Sequence, residues 1–337
     1  MLDLIRNLCK IPSVSGREEK LRDFIISKIE GCCEYEVDQS GNLICFKKGK
    51  KAAAKKVMVD AHMDEVGIIA SYITEGGFVK FQTVGGIDTS VMLARKVVFE
   101  NGTVGVVGMK PVHLLSADEK KTMPKAESLY IDIGAASKQE AESLISVGDV
   151  AVFYSEPLDL DTDKLLARGI DDKAGVAVLI SILQLEAEYD FYATFSVQEE
   201  VGLRGAKTAA YTVSPNAAVI LEATTAADLS GVAEDKKVCR VGCGPAISFM
   251  DRSTMYNKEL FDFANAIPVR HQVKEYVSGG NNAGAVHLSK SGVPTLTVSL
   301  PTRYIHSPSC VASLCDLLDM QRFSLALINA LASGEVL

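Results

Sequence analysis

The sequence changes texture twice along its length, and that constrains the fold more than any other feature. Up to residue 67 it reads as helix and buried strand. Leu4, Ile5 and Leu8 share one helical face, Leu21, Phe24, Ile25 and Ile29 share another, and KVMVDAH at 56–62 reads as a strand. The break between the helices is IPSVSG, where Ser15 is placed to cap the second. From 68 to 159 the pattern becomes short runs rich in Val, Ile and Phe punctuated by glycine: GIIASYI, GGFVKFQTVGG, KVVFENGTVGVVGM and GDVAVFY. That is the signature of a small all-β unit. Helix and buried strand then return. DDKAGVAVLISILQLEAE predicts a helix with an apolar face, EVGLRGAKTAA a helix start, FYATFSV, AAVILEA and GVPTLTVSL strands, and Cys310 to Ala332 a long helix. The expected organisation is one α/β domain built from 1–67 and 160–337, with an all-β domain inserted over 68–159.

Composition removes several classes of function. The net charge is −8 and the basic residues are dispersed among acidic ones, so there is no footprint for nucleic acid or an anionic membrane. No run of about 18 apolar residues is present, and the N-terminal MLDLIRNLCKIPSVSG lacks the apolar stretch of a signal peptide. The eight cysteines show no paired CxxC spacing, which argues against a zinc ribbon or a disulfide framework. A cytoplasmic protein acting on a small substrate is expected, with most cysteines as buried thiols.

The polar segments at the ends of the predicted strands carry the chemistry, since open α/β sheets bind ligands beyond the carboxyl ends of their strands. Each contains a potential metal ligand: His62 and Asp64 in DAHMDEVG, Asp171 and Asp172 in RGIDDKAG, Glu199 and Glu200 in SVQEEVG, Glu222 in VILEATTAAD, and His306 in RYIHSPS. Singly, each has an ordinary structural reading as a helix cap, a solvated helix start or a loop histidine. Jointly, mixed histidine and carboxylate ligands suit zinc, cobalt or manganese, and five such segments can supply two ions. Two ions about 3.5 to 4 Å apart require one bridging carboxylate, further ligands for each, and an acid free to move a proton. The adjacent pair Glu199 and Glu200 offers a general base beside a ligand.

With PSVSG, KPVH at 110–113, YIDIGA at 130–135, QEEVGLRGA, TTAAD and the GGNNAGA segment at 279–285, these motifs resemble, in number and order over essentially the whole chain, the TET-type aminopeptidases. That family includes glutamyl and deblocking aminopeptidases and belongs to the co-catalytic dimetal exopeptidases. The resemblance implies a mixed-sheet, dizinc-exopeptidase-like α/β catalytic domain with an inserted β-barrel-like oligomerisation domain. It implies two divalent ions per subunit, zinc or cobalt with manganese as a further option. Short peptides are the implied substrates, and the implied assembly is a homo-oligomer built from dimers into a dodecamer.

Position by position, His62 resembles a ligand of one metal, with Asp64 orienting its ring. Asp171 resembles the bridging carboxylate, its bond to Asp172 being cis in the family. Glu199 matches the general base, Glu200 a ligand of one ion and His306 the last ligand of the other. Glu222 stands where the family usually has Asp; Asp228 is its rival, but Glu222 lies directly at a strand end. Asn281 and Asn282 stand where the family commonly has Thr-Asp. Arg303 falls in the pattern as a residue that can face substrate or form a structural ion pair. His113, His271 and His287 read as structural, and Cys239 and Cys243 as core or strand residues. The implied activity is removal of N-terminal residues from short peptides, with Glu199 as base. The alternatives are an N-acyl amino acid deacylase on the same site, or a silent peptide-binding assembly. Some relatives carry the label endoglucanase, to which a metal-bridging Asp171 is poorly suited.

Overall fold

The computed structural model describes residues 1–160 and 163–337. Its larger part is an eleven-stranded mixed sheet. At its centre Val57–His62 runs parallel to Phe191–Ser196 on one side and to Ala217–Thr225 on the other, and Ala217–Thr225 runs parallel to Thr295–Arg303. All six residues of Val57–His62 and eight of the nine in Ala217–Thr225 are buried. Parallel strands covered on both faces read as continuous apolar runs, which is why the sequence displayed them plainly. Antiparallel strands flank this centre: Leu43–Lys47 and Glu34–Val37 beyond Phe191–Ser196, and Cys310–Ser313, Lys164–Ala167 and Leu158–Asp159 beyond Thr295–Arg303.

The helix Ile170–Leu183 packs on the sheet beneath the helices Leu2–Lys10, Glu19–Ile29 and Leu314–Ser333. The sequence suggested one apolar face for it; every one of its residues is in fact buried, because helices cover the side that the sheet does not. Its backbone becomes regularly helical only after Asp171 and Asp172, whose peptide bond is cis. Two local expectations are corrected. Ser15 does not cap the second helix but donates its hydroxyl to Asp64 Oδ2 at 2.6 Å, and Glu18 occupies the cap position without a side-chain cap bond. The last helix starts later than its periodicity suggested, because residues 310–313 form a strand and Ser313 caps the helix from outside, its hydroxyl accepting from Asp316 N.

The strands Gly67–Ile73, Val79–Val84, Lys96–Phe99, Val104–Gly108, Tyr130–Asp132 and Val150–Phe153 close into a separate antiparallel barrel. Its own core holds Ile68, Val79, Phe81, Val97, Phe99, Val107, Ile131 and Phe153. The turn at Gly85 and Gly86, leaving the barrel strand Val79–Val84, reaches back to the end of the larger sheet, where Gly86 O meets the ring of His306 at 2.7 Å. No disulfide forms among the described residues; Cys9, Cys45, Cys239 and Cys310 are buried, while Cys243 and Cys315 are exposed. Among the described residues no helix is long and apolar enough to cross a membrane.

Candidate metal centre and active site

The carboxyl ends of the parallel strands converge on Asp171. His62, the last residue of its strand, aims Nε2 at Asp171 Oδ1, 3.0 Å away, and at Glu222 Oε1 at 3.4 Å. His306 aims Nε2 at Asp171 Oδ2, 3.1 Å away, and at Glu200 Oε1 at 3.3 Å. One carboxylate thus spans two imidazoles, an oxygen to each.

The other ring nitrogens are fixed from behind. His62 Nδ1 lies 2.9 Å from the carbonyl of Asp64 and 3.3 Å from its Oδ1, while His306 Nδ1 lies 2.7 Å from the carbonyl of Gly86. A carbonyl can only accept, so each Nδ1 donates and, in the neutral ring, each Nε2 presents a lone pair toward carboxylate oxygens. Acceptor facing acceptor is repulsive unless a proton or a metal cation stands between. Although burial lowers both rings, the surrounding carboxylates win: Glu222 and Asp171 raise His62 well above the usual range, and Asp171 and Glu200 push His306 up to about 12. The centre has an excess of negative charge that calls for cations.

The unpartnered atoms say the same. Glu200 Oε1, Glu222 Oε2 and Asp172 Oδ2 are buried with no hydrogen-bond partner. Orphaned buried carboxylate oxygens are costly, and burial raises Asp172, Glu200 and Glu222, the last to about 8, despite the nearby histidines. Asp171 moves oppositely: burial alone would raise it, but the two histidines hold it below the ordinary carboxylate range. Two groups of ligand atoms lie within 4.8 Å of one another, His62 with Asp172 and Glu222, and Asp171 with Glu200 and His306. Nitrogen and carboxylate donors in two abutting sets fit a pair of divalent ions of the zinc, cobalt or manganese type.

Buried scaffolding holds these groups. Asp64 accepts from the backbone N–H of Glu199 at 2.8 Å and of Glu200 at 3.1 Å, so it fixes the EE turn as well as the His62 loop. Glu65, on the same loop, binds Arg168 Nη1 at 2.5 Å and Lys173 Nζ at 2.6 Å, which flank the Asp171–Asp172 pair. Gly169 is at φ +62° and its absent Cβ would lie 2.5 Å from Glu65 Oε2, so the approach of this carboxylate requires glycine. One turn back along the central strand, Asp60 accepts from Thr194, Ser196 and Asn282 Nδ2, the last at 2.8 Å. Asn282, noted in the sequence as a departure, therefore faces inward as a donor to a buried carboxylate, where an ionised acid would meet like charge. Asn281 instead donates to Asp251 Oδ2 at 3.1 Å.

A cavity of about 190 Å³ opens from this cluster, lined by Asp171, Glu199, Glu200, Glu222 and His306 on the side of the centre and by Thr224, Lys274 and the loop 278–281 beyond it. Burial and the charges of Glu222, Glu200 and Asp171 raise Glu199 well above the usual carboxyl range, with His62 opposing. Of the residues proposed from sequence, His62, Asp64, Asp171, Glu199, Glu200, Glu222 and His306 are brought together. Arg303 is not among the residues lining the cavity. Its Nε and Nη2 each bind Asp228 at 2.7 Å, a bidentate pair that occupies both the guanidinium and the rival acid. The structure adds the Gly86 carbonyl and Lys274, which the sequence did not single out, and it places Asp172, noted there beside Asp171, with His62 and Glu222. His271 and His287 hydrogen-bond to the carbonyls of Val269 and Ala283, away from the centre.

An α/β sheet with an inserted barrel, and two histidines sharing one aspartate beside buried carboxylates, fit the class of metal-dependent hydrolases. The model of the M42 glutamyl aminopeptidase family matches residues 41–323, and the chain belongs to that family. It is a peptide-bond hydrolase. A putative aminopeptidase of Acetivibrio thermocellus is 37% identical over 324 residues, covering 94% of this chain and 95% of its own. The lysyl aminopeptidase of Pyrococcus furiosus is 30% identical over 98% of this chain and 97% of its own. Among solved structures, aminopeptidase APDkam598 of the archaeon Desulfurococcus kamchatkensis superposes with a TM-score of 0.93 at 34% identity, covering 98% of this chain and 95% of that one. The TET1 peptidase of Pyrococcus horikoshii, described as assembling into a tetrahedron or a large octahedral shell, gives 0.84 at 34% identity over 98% of both chains.

Proposed function

We propose that this chain is a dimetal aminopeptidase that removes N-terminal residues from short peptides. The observation carrying the proposal is the position of Asp171, 3.0 Å from His62 Nε2 and 3.1 Å from His306 Nε2, with both rings fixed through Nδ1. Two ions would be held by His62, Asp172 and Glu222 on one side and by Glu200 and His306 on the other, with Asp171 the carboxylate between them. When bound, such ions polarise the scissile carbonyl and lower the pKa of the attacking water.

The chain's own residues supply the rest. Glu199, in the cavity wall, accepts the proton of the water as it attacks and passes it to the leaving amine nitrogen, so the peptide C–N bond breaks without expelling an amide anion. Asp64 holds the Glu199 and Glu200 backbone and the His62 loop in one register, so base and ligands keep a common frame. The lysyl name of one relative and the glutamyl name of the family point to opposite side-chain charges, so family membership leaves the preferred residue open. The barrel would be the oligomerisation unit and a dodecamer the assembly, as the TET shells of its neighbours suggest.

The test is a panel of free-amine and N-acylated aminoacyl chromogenic amides with the metal-loaded protein and its Glu199→Gln variant. Free-amine amides should be cleaved and N-acyl ones not. Glu199→Gln should keep its metal while kcat falls by about 10²- to 10⁴-fold. Hydrolysis of N-acyl substrates alone would transfer the site to a deacylase, and no hydrolysis with two ions bound would leave the silent assembly.

A further inference from the structure

The strand Phe191–Ser196 leads into the turn that carries Glu199 and Glu200, and the backbone N–H groups of this turn are held by side chains. Val197 donates to Asn42 Oδ1 at 3.0 Å, Gln198 to Glu18 Oε1 at 3.1 Å, Glu199 to Asp64 Oδ1 at 2.8 Å and Glu200 to Asp64 Oδ2 at 3.1 Å. Asn42, Glu18 and Asp64 are buried and come from three separate segments of the chain. Four consecutive N–H groups are thus fixed from outside the turn, which sets its direction. Gln198, the residue before Glu199, stands at φ +56°, a backbone conformation that persists in a residue with a side chain only where the surroundings enforce it.

Glu18 is the part of this clamp that the reaction has not yet used. The same Oε1 that takes Gln198 N also accepts from Gly16 N at 2.8 Å, so one oxygen joins the turn 15–18 to the turn 197–200. Ser15, in that first turn, donates to the Asp64 carboxylate that holds Glu200. The segment SVSGRE at 13–18 therefore grips the Glu199 segment on both sides, at Gln198 and at Glu200. Glu18 is not among the residues lining the cavity, so it reaches the reaction only through what it holds. Resting on the aminopeptidase reading, we propose that Glu18 is a positioning residue for the proton transfer: by holding the Gln198 N–H it fixes the direction in which Glu199 enters the cavity. Burial pushes the Glu18 carboxyl up to about 7, against the two N–H groups that favour its charge, so the site is suited to an acceptor oxygen more than to a full charge. Length of side chain, rather than charge, is then what the clamp requires. Withdrawing the oxygen leaves the Gln198 N–H unmade and frees a strained residue to relax, and a shift of about 1 Å in a reacting group can cost on the order of 10²-fold in rate.

The test measures kcat and KM per ion-loaded chain for Glu18→Ala, Glu18→Asp and Glu18→Gln, with the free-amine p-nitroanilide that the wild type cleaves fastest. Glu18→Ala and Glu18→Asp should lower kcat about 10- to 100-fold while KM moves by less than about threefold and both ions are retained by elemental analysis. Glu18→Gln, which keeps an oxygen at the same reach, should stay within about threefold of wild type. Added to Glu199→Gln, Glu18→Ala should cost nothing further, because the two act through one group. Amide hydrogen exchange of the peptide spanning 197–203 gives a readout apart from activity: protection should fall in Glu18→Ala and Glu18→Asp and persist in Glu18→Gln. Should Glu18→Ala not fold, Glu18→Asp still decides, since aspartate is a favoured residue at the cap position of the helix Glu19–Ile29. An active Glu18→Asp with an impaired Glu18→Gln would make Glu18 a charge and overturn the proposal. So would loss of an ion, or a loss of kcat that adds in full to that of Glu199→Gln. No cleavage by the wild type would defeat the aminopeptidase reading and leave Glu199 no reaction to serve; cleavage with kcat unmoved by Glu18→Ala and Glu18→Asp would defeat only the role of Glu18.

Discussion

Replacing Glu65 by glutamine should expose how the site's loops are held. Glu65 Oε1 takes Arg168 Nη1 at 2.5 Å, Lys173 Nζ at 2.6 Å and the backbone N–H of Ser13 at 3.1 Å, all away from solvent. Lys173 also binds Ile11 O and Arg168 binds Lys10 O, so one carboxylate ties the N-terminal segment, the His62 loop and the Asp171 loop together. Glu65→Gln keeps the shape but leaves two cations buried without a counter-charge, a defect that costs about 3 to 5 kcal/mol. Burial would raise Glu65, but Arg168 and Lys173 bring it from 4.5 to about 2, a fall worth about 3 kcal/mol. Lys173 itself moves down, because burial and the Arg168 charge outweigh its attraction to Glu65. The Arg168 guanidinium stays charged throughout, so the Glu65 carboxyl is the group whose titration sets the magnitude.

The sign follows from linkage. A carboxyl depressed in the folded state contributes stability that is full above its unfolded value of 4.5 and fades as pH falls from there toward 2. Urea unfolding of metal-free wild type and Glu65→Gln, at one protein concentration because assembly also stabilises, should show a gap of about 3 to 5 kcal/mol at neutral pH. The gap should narrow steadily below about pH 4.5. A gap under about 1 kcal/mol, or one that does not change with pH, would refute the reasoning.

Further outcomes follow from the same geometry. Glu222→Ala should lose one of two bound ions by elemental analysis, whereas Asp228→Ala, which releases Arg303, should retain both; the reverse would reassign the ligand. Gly85→Ala places a Cβ 2.8 Å from Val66 Cγ1 and 3.2 Å from Glu200 Cβ, on a backbone at φ +78° that disfavours side chains. Because the neighbouring carbonyl orients His306, metal affinity measured by competition with a chromogenic chelator should fall about 10- to 100-fold. Unchanged affinity would mean that the barrel turn does not orient the ligand.

What could be read from the sequence was decided by burial. The central parallel strands are covered on both faces, so VMVDAH and AAVILEA stood out as apolar runs, and the polar residues closing them were visible as His62 and Glu222. The glycine-punctuated texture of the barrel was equally plain. Features that depend on distant partners were not. Ser15 has the spacing of a cap, yet Asp64, forty-nine residues away, takes its hydroxyl. The commitment of Arg303 to Asp228 crosses seventy-five residues. Lys274 sits in QVKEYV, an ordinary polar context, and only the fold places it in the wall of the cavity beside the centre. Glu65, Arg168 and Lys173 lie inside the very motifs that carried the resemblance, but their pairing required two loops to meet.

The most direct test of the dimetal reading is anomalous X-ray diffraction from crystals of the protein loaded with zinc or cobalt. Two peaks per chain are expected, one on each side of the Asp171 carboxylate, with His62 Nε2 and Glu222 at one and His306 Nε2 and Glu200 at the other. A single ion, or two ions that do not share Asp171, would contradict it.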